Sequence, residues 1–235
     1  MAECKEFEFF RGKVRFKQPK SHRLSIVEIL FVANLKGVKK NYKVLDLGAG
    51  FGALSILIAL RHGCQVYALE RDPLMLELLR YNVEANHLEE KVRIIDLDLK
   101  HIKNSPLRPQ SFDLVVANPP FYKGLLKANV YHHEKDTNLE DFIKAGSYLL
   151  KDGKGFNLLM ASNRLIEVIN YMLKHNLGVE SIRFFYPRMD KVGKIMHLYA
   201  LKNLKPTITI EKPLIINELS GEYTQEVKSI FDSFL

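Results

Sequence analysis

The sequence has little that would suit a secreted or membrane-bound protein. Only two cysteines occur among the 235 residues, Cys4 and Cys64, and their spacing fits neither a disulfide framework nor a metal site. The apolar stretch at residues 53–60 is too short to span a bilayer. The opening MAECKEFEFFRGK alternates charged and aromatic side chains and lacks the apolar core of a signal peptide. We therefore expect a cytoplasmic protein with no membrane partner.

Repeats, low-complexity tracts and Gly/Ser linkers are also absent from the sequence. Its 47% hydrophobic and 26% charged residues are typical of a soluble globular protein, and its length suits one α/β domain and is short for two. We predict a single domain over residues 1–235, and we expect a monomer. A basic N-terminal extension and helix would occupy residues 1–42, the core 43–203 and a C-terminal extension 204–235.

Positive charge is concentrated near the start of the chain. The net charge is +8, and residues 1–43 alone hold eleven Lys and Arg against four Glu. In the stretch FFRGKVRFKQPKSHR these basic residues alternate with aromatic side chains, a mixture that suits contact with phosphates and bases. A solvated basic tail is the simpler alternative. We predict a nucleic-acid surface formed by Arg11, Lys13, Arg15, Lys17 and Arg23, and extended by Arg188, Lys191 and Lys194.

Apolar periodicity predicts an α/β protein. Short apolar segments such as KVLDL, QVYALE and FDLVVA alternate with helical segments, which indicates a mostly parallel sheet with helices on both faces. The last two such segments, ESIRFFYP and KIMHLYALKN, have no helix between them and predict antiparallel strands. The final thirty residues suggest an extended segment and a short helix. Predicted helix starts are marked by Ser25, by Asp72 with Pro73, and by Thr137 with Glu140.

A glycine-rich turn follows the first of these buried strands. In VLDLGAGFG, Gly48, Gly50 and Gly52 stand between a strand and a helix, with Asp46 just before them. Glycines at this place let the backbone approach a bound ligand closely, although many tight strand-to-helix turns need glycine for steric reasons alone. The turn therefore indicates a ligand site only if other residues support it.

Acidic residues at the ends of the next two strands support such a site. Glu70 ends the second strand, eighteen residues after Gly52, where a carboxylate can accept hydrogen bonds from both hydroxyls of a ribose. Asp98 follows the third strand and can meet an adenine amino group, with Asp96 as the rival candidate. Either acid alone would usually be a solvated residue at a strand end. Three glycines and two acids at successive strand ends, together with NPPF at the end of the fourth strand, predict S-adenosylmethionine as the cofactor.

The stretch VVANPPFYKG ends the fourth strand in an unusual way. Two prolines stop strand pairing and hold Asn118 in a stiff arrangement. The side-chain oxygen of Asn118 and the carbonyl of Pro119 can each accept one N–H of an amine, so that its lone pair faces an activated methyl group. Phe121 offers a face on which a base can stack. In isolation the stretch would be a plain Pro-Pro turn; after a cofactor motif we predict a catalytic site of Asn118, Pro119, Pro120 and Phe121.

These motifs resemble those of class I, Rossmann-like methyltransferases. DLGAGFG is similar to their first cofactor motif, ALERD to their second, and NPPF to the catalytic motif of enzymes that methylate amino groups. The resemblance implies a seven-stranded sheet in the order 3-2-1-4-5-7-6, with strand seven antiparallel. It also implies a cofactor site that includes Asp46, Gly48, Gly50, Gly52, Glu70, Asp98, Leu99 and Asn118.

Both ends of the chain resemble one branch of these enzymes, the bacterial tRNA1(Val) adenine-37 N6-methyltransferase family. FKQPKSHRLSIVEILFVANL matches its N-terminal motif through Gln18, Arg23, Leu24, Ser25 and Leu30. The tail LIINELSGEYTQEVKSIF matches its ending through Glu222, Tyr223 and Thr224. Ser21, His22 and Glu28 depart from the pattern. The resemblance implies tRNA as the partner, methylation of adenine N6, and a segment from Gln18 to Ser25 that folds over the methionine end of the cofactor, with Gln18, Arg23 and Ser25 at the cofactor.

Other functions compete with this interpretation. The NPPF motif is shared with N5-glutamine methyltransferases of release factors and with N2-guanine methyltransferases of ribosomal RNA, and a protein that keeps the fold only to bind RNA is a non-enzymatic alternative. The basic start, the single predicted domain and the retained Asn118 favour an RNA adenine methyltransferase. Adjacent His132, His133 and Glu134 point in different directions, so we predict no metal.

Overall fold

The computed structural model of the chain describes residues 4–20, 22–120 and 137–234. No helix in these ranges is both long and apolar enough to cross a membrane. Short 3₁₀ helices occupy Leu99–Asn104 and Ser162–Arg164. The helices are α1 (Ile26–Ala33), α2 (Ala53–His62), α3 (Pro73–Ala85), α4 (Leu139–Leu149), α5 (Leu165–Lys174) and α6 (Gln225–Asp232). The strands are β1 (Cys4–Phe9), β2 (Val14–Pro19), β3 (Lys43–Leu47), β4 (Gln65–Glu70), β5 (Val92–Asp96), β6 (Phe112–Ala117), β7 (Leu150–Ala161), β8 (Leu177–Arg188), β9 (Ile195–Lys202), β10 (Thr209–Ile210) and β11 (Leu214–Asn217).

The central sheet has the predicted strand order. Its strands run β5-β4-β3-β6-β7-β9-β8, and β9 is antiparallel to both of its neighbours, β7 and β8. The predicted count of seven strands is wrong, because β10 and β11 both pair in parallel with β8 and make a sheet of nine. The sequence indicates an extended segment there, but the pairing partner of such a short segment depends on tertiary packing.

Helices cover both faces of the sheet and bury two apolar clusters. One cluster lies beneath α1, α2 and α3, and the other beneath α4 and α5. Four α-helices have side chains that cap them as hydrogen-bond acceptors: Ser25 caps α1, Asp72 caps α3 with Pro73 as the first helical residue, Asn138 caps α4, and Thr224 caps α6. Helices α2 and α3 begin just after the carboxyl ends of β3 and β4. Most of the predicted cofactor residues lie at this same edge of the sheet.

The predicted start of α4 needs correction. Asn138, rather than Thr137, is the cap: its side-chain Oδ1 accepts a hydrogen bond from Asp141 N, and its backbone N–H donates to the Asp141 carboxylate. Glu140 serves another purpose: its carboxylate lies 2.9 Å from His175 Nε2 and 2.8 Å from Lys174 Nζ at the end of α5. The carboxylate of Glu140, which the local pattern assigned to the helix cap, thus forms a tertiary contact instead.

The basic start of the chain folds as a hairpin, which the sequence analysis missed. Strands β1 and β2 pair antiparallel along their whole length. Val14 and Phe16 on β2 are buried, and the Phe16 ring meets the rings of Phe9 and Phe51 edge-on at 5.8 and 5.9 Å. The alternation of aromatic and basic residues is therefore that of a strand with one face in the core, and Phe16 is not available to stack on bases.

Two asparagines, Asn82 in α3 and Asn86 directly after it, hold β2 in place. Asn82 accepts a hydrogen bond from the backbone N–H of Lys17 and donates to the carbonyls of Lys17 and Phe51. Asn86, one turn later, accepts from the N–H of Arg15 and donates to its carbonyl. The side-chain amides replace a neighbouring strand, and they tie the hairpin to the glycine turn through Phe51.

Candidate active site

A cavity of about 620 Å³ lies at the carboxyl ends of β3, β4 and β6. Its volume falls in the range of about 300–1,000 Å³ that is usual for small-molecule sites. The wall is formed by the glycine turn, by the residues that lead into α1, and by the segments after β4, β5 and β6. In an open parallel sheet this edge, where the order of strands reverses beside β3, is the usual place for a ligand.

The glycine turn is fixed by the carboxylate of Glu70. Its Oε2 accepts a hydrogen bond from Gly50 N at 2.8 Å, and its Oε1 accepts from Arg71 N at 2.7 Å and from Asp72 N at 2.8 Å. Gly48, Gly50 and Gly52 all have positive φ, which side chains rarely adopt. Of the predicted cofactor residues in this region, Gly48, Gly50 and Glu70 line the cavity, whereas Gly52 lies behind the turn, where an added Cβ would meet Leu79.

Asp46 is fully buried behind the turn and does not line the cavity. Its Oδ2 accepts a hydrogen bond from Ser55 Oγ at 2.6 Å, and its Oδ1 has no partner among the described residues. Burial raises the pKa of Asp46 to about 7, against the hydrogen bond from Ser55, and the nearby charges of Glu70 and Glu28 raise it further. This unpaired carboxylate oxygen lies directly behind the glycine turn, out of contact with the cavity.

Of the two aspartates after the third core strand, Asp98 is the one held in place. Arg71 NH1 donates a hydrogen bond to Asp98 Oδ2 at 2.6 Å, and Lys100 N donates one to Asp98 Oδ1. Burial alone would raise the pKa of Asp98, but these two hydrogen bonds and the charge of Arg71 lower it. Asp96 is exposed and lies 3.8 Å from Arg80. Neither carboxylate lines the cavity; Leu97 and Leu99, on either side of Asp98, do.

The stretch after β6 brings its acceptors to the cavity. Asn118, Pro119 and Pro120 line the wall, and Phe121 lies outside the described residues. Asn118 Nδ2 donates to Glu28 Oε1 at 3.2 Å, and Asn118 Oδ1 has no partner within the described part of the chain. The amide is thus held by its nitrogen, and its oxygen is left unused.

The residues before α1 form another part of the wall. Arg23 and Ser25 line the cavity, and the Arg23 guanidinium lies 5.8 Å from the centre of the Phe7 ring. Gln18, a predicted cofactor residue, is buried away from the cavity, where its Oε1 accepts a hydrogen bond from Leu24 N at 2.8 Å. The structure therefore gives Gln18 a place in shaping the turn that leads to Ser25.

Glu28 is the main residue of the wall that the sequence analysis did not predict. It is buried, and burial raises its pKa although Ser25 and Asn118 donate hydrogen bonds to it. The spacing of Ser25 and Glu28 is that of a capping box and could have predicted their contact. Phe142, Leu159 and Ile195 also line the cavity, and no local pattern predicts that these distant residues meet there.

The predicted RNA-contacting residues are spread over two ends of the molecule. Lys194 and Arg188 flank the loop between β8 and β9, on the cavity side, where Ile195 lines the wall. Arg188 forms two hydrogen bonds of 2.6 Å with Asp190, and Arg15 lies 3.1 Å from Glu8. Lys17 Nζ lies 4.8 Å from the centre of the Tyr81 ring.

The turn that carries Arg11 and Lys13 lies away from the cavity. Phe10 stacks on Phe234 at 4.9 Å, and Phe234 in turn lies 4.6 Å beneath Arg61 in the last turn of α2. The first turn of α2 borders the cavity, and the helix is about 15 Å long. An RNA that touches both the cavity and this turn must therefore extend along α2.

Groups of three or more potential metal ligands do not occur among the residues that the structure describes. His132, His133 and Glu134 lie outside those residues.

Sheet order, glycine turn and the Asn-Pro-Pro acceptors together define a class I, Rossmann-like methyltransferase. Solved structures share the fold. A predicted O-methyltransferase from Agrobacterium tumefaciens, Atu636, superposes with a TM-score of 0.74 at 23% identity over 88% of this chain and 96% of that one. TYW2 of M. jannaschii, solved in complex with AdoMet, superposes with a TM-score of 0.59 at 19% identity over 86% of each chain.

The chain belongs to the methyltransferase small domain family, whose sequence profile matches residues 23–181. Among relatives, a tRNA1(Val) (adenine(37)-N6)-methyltransferase of Porphyromonas gingivalis (strain ATCC 33277) is 31% identical over 206 residues, which cover 81% of this chain and 78% of the relative. The enzyme of the same description from Haemophilus influenzae (strain PittGG) is 25% identical over 203 residues, covering 80% and 81%.

Proposed function

We propose that this protein transfers a methyl group from S-adenosylmethionine to N6 of adenine 37 in a tRNA. The observation that carries this proposal is Asn118, which lines the cavity and whose buried side-chain oxygen has no hydrogen-bond partner among the described residues. The chain's relatives, matched over about four fifths of its length, are named tRNA adenine-N6 methyltransferases. The alternative methyl acceptors, a glutamine in a protein and a guanine in ribosomal RNA, are not supported by comparable relatives.

The cavity fits S-adenosylmethionine in volume and in chemistry. Gly50 leaves open space on the cavity side, since a Cβ built there would meet only His22 Nε2, at 3.8 Å. Three acidic residues, Glu28, Glu70 and Asp72, line the wall together with Arg23 and Arg71. This mixture of charges suits a ligand that carries both positive and negative groups, as S-adenosylmethionine does. Glu70 would hold the ribose, and Leu97 and Leu99 would flank the adenine. When bound, the cofactor supplies a methyl group activated by a sulfonium.

Asn118 and Pro119 would orient the amine that receives the methyl group. The lone pair of an adenine amino group is delocalised into the ring, and two acceptors, one for each N–H, turn that lone pair out of the ring plane. Positive charge develops on the nitrogen during transfer, so the hydrogen bonds to Asn118 Oδ1 and the Pro119 carbonyl strengthen in the transition state. The proton leaves afterwards, and no general base is required. Phe121 would stack on the extruded adenine.

The wider surroundings of the site follow from this assignment. Arg188 and Lys194 at the cavity side would contact tRNA phosphates, and Arg11, Lys13, Arg15 and Lys17 would contact the same RNA farther along the hairpin. A cytoplasmic, monomeric, single-domain enzyme with no metal requirement is the simplest form of the proposal.

The test is transfer of tritiated methyl groups from S-adenosylmethionine into bulk tRNA, with digestion of the product to nucleosides. We expect label in N6-methyladenosine, and a loss of about 10²-fold or more for Asn118→Ala, comparable to the removal of one transition-state hydrogen bond. Asn170→Ala, on the exposed side of α5, is the matched control and should keep full activity. Label that enters protein, or guanosine, instead of adenosine would contradict the proposal.

A further inference from the structure

The orientation of an asparagine amide decides whether it accepts or donates. Asn118 carries an oxygen and an NH₂ group of almost the same shape, and only the oxygen can accept an N–H from the substrate amine. A rotation of half a turn about the last side-chain bond exchanges the two groups. With the NH₂ group toward the cavity, the site would repel the N–H that it has to receive. Something in the site must therefore fix the amide.

Glu28 is placed to fix it. Its Oε1 lies 3.2 Å from Asn118 Nδ2, and it belongs to α1, ninety residues earlier in the chain. A carboxylate can only accept hydrogen bonds, so it selects the NH₂ group of Asn118 and turns Oδ1 away. That oxygen is the buried one for which the described residues provide no partner. If the amide were rotated, its NH₂ group would take the place of Oδ1 and would also have no partner among the described residues of the free protein. The surroundings of that position therefore do not favour one amide orientation over the other, and the contact with Glu28 does.

The carboxylate of Glu28 is itself held rigidly. Its other oxygen, Oε2, accepts from Ser25 N at 2.8 Å and from Ser25 Oγ at 3.1 Å, in the capping box that begins α1. Gln18 holds the residue before Ser25, because its Oε1 accepts from Leu24 N. A chain of hydrogen bonds thus runs from the end of β2 through the start of α1 to the amide after β6, and only 7% of Glu28 is exposed to exchange partners with water.

We propose that Glu28 is a positioning residue that locks the Asn118 amide with its oxygen toward the methyl acceptor. It acts through Asn118 and does not touch the substrate. This inference rests on the proposed function, and it assigns to the N-terminal segment a role in orienting the acceptor amine in addition to covering the cofactor.

Replacement of Glu28 by glutamine separates this role from helix capping. In Glu28→Gln the side-chain oxygen can still accept from Ser25 N, so the capping box is kept and the new NH₂ group faces Asn118. Asn118 must then turn its own oxygen toward residue 28 and its NH₂ group into the cavity. We expect kcat at saturating cofactor to fall by about 10²-fold, as on loss of one transition-state acceptor, while Tm stays near that of the wild type.

Two further variants sharpen the test. Glu28→Asp keeps a group that only accepts, and it should retain more activity than Glu28→Gln although it is shorter. Asp141→Asn removes the equivalent carboxylate from the capping box of α4, which does not contact Asn118, and should leave kcat unchanged. If Glu28→Gln is as active as the wild type, or if Glu28→Asp is the less active of the two, the inference is wrong.

A double-mutant cycle gives the decisive readout. If Glu28 acts through Asn118, then Glu28→Gln in an Asn118→Ala background should not lower kcat any further, whereas independent effects would multiply. Multiplying losses would overturn the inference, and so would an equal loss of activity and Tm in Glu28→Asp and Glu28→Gln, which would indicate a purely structural role. Failure of the proposed function looks different, because the wild-type protein itself would then form no N6-methyladenosine.

Discussion

At the scale of single residues, carboxyl groups are buried at the cavity wall and directly behind it. Asp46 and Glu28 are buried and their pKa values are raised, with Glu70 close enough to raise that of Asp46 further. Such an arrangement lowers the stability of the free protein and suits a ligand that carries positive charge. Perturbed carboxylates of this kind cluster at functional sites.

The first prediction concerns pH and Asp46. Its pKa is about 7 in the folded protein against 3.8 unfolded, so from about pH 4 upward the unfolded chain releases a proton that the folded protein keeps. Stability is therefore lost as pH rises from about 4 to about 7, by an amount on the order of 4 kcal/mol for this group. In Asp46→Asn the fall of Tm between pH 5 and pH 8 should be clearly smaller, as measured by calorimetry without ligand. An unchanged fall would show that Asp46 is ionised throughout.

At this scale the sequence predicts chemistry better than it predicts partners. Gly48, Gly50, Glu70 and Asn118 could be found because strand ends and glycines mark the same edge of any parallel sheet. Glu28 could not be linked to Asn118, because their contact joins α1 to the end of β6 and no local pattern spans ninety residues.

At the scale of elements, the turn between β3 and α2 contains one glycine that the core packing requires and another that leaves space in the cavity. Gly50 and Gly52 both have positive φ, but their surroundings differ. A Cβ on Gly52 would lie 2.5 Å from Leu79 Cδ1, in the core, whereas a Cβ on Gly50 would have only His22 Nε2 within 4 Å, on the cavity side.

The second prediction follows from this difference. Gly50→Ala should lower stability by about 1 kcal/mol, the strain of a left-handed alanine, but should weaken S-adenosylmethionine binding by tenfold or more. Gly52→Ala should cost the larger amount of stability, because the same strain is joined by a core clash. Urea unfolding and calorimetric titration measure the two effects. Equal losses of stability in the two variants would contradict the difference in packing.

The third prediction concerns the attachment of the hairpin to α3. Asn82 is fully buried and serves three backbone groups of Lys17 and Phe51, so Asn82→Ala leaves them unpaired and should cost about 2–5 kcal/mol. Asn86→Ala affects groups at an exposed place, where water substitutes, and should cost about 1 kcal/mol. Urea unfolding at equilibrium tests the order of the two effects, and the reverse order would show that the hairpin is held chiefly by its apolar face.

The hairpin also shows where sequence analysis fails at this scale. A basic stretch with alternating aromatic residues is compatible with either an RNA-binding surface or an amphipathic strand, because both have the same sequence pattern. Only the burial of Val14 and Phe16 against Phe51 shows that the aromatic side of this strand belongs to the core.

At the scale of the whole molecule, the periodic core of the fold was predictable and its borders were not. Seven core strands in their order follow from the apolar segments and the family resemblance, because each βα unit is local and right-handed. The hairpin before the core and the two strands after it depend on contacts with α3 and β8, which local sequence does not specify.

The fourth prediction concerns the proposed tRNA-binding surface. Lys191 and Lys194 border the cavity side, and their replacement by Glu should weaken tRNA binding and lower the slope of log affinity against log salt by about 1.5. Lys40→Glu with Lys91→Glu, at the opposite end of the sheet, is the matched control and should change both values little. Filter binding over a series of salt concentrations measures the effect, and equal losses in both pairs would point to a diffuse surface. A similar loss for Arg11→Glu with Lys13→Glu would show that the RNA runs along the hairpin.

The stack of Phe10 on Phe234 joins the first hairpin to the segment after α6. Both are peripheral layers, which in most proteins detach at lower temperature than the central sheet. Detachment would slacken β2, and with it the run of residues from Gln18 to Glu28 that steadies the Asn118 amide. On warming, methyl transfer should therefore be lost while circular dichroism still records an intact sheet, so that inactivation precedes unfolding.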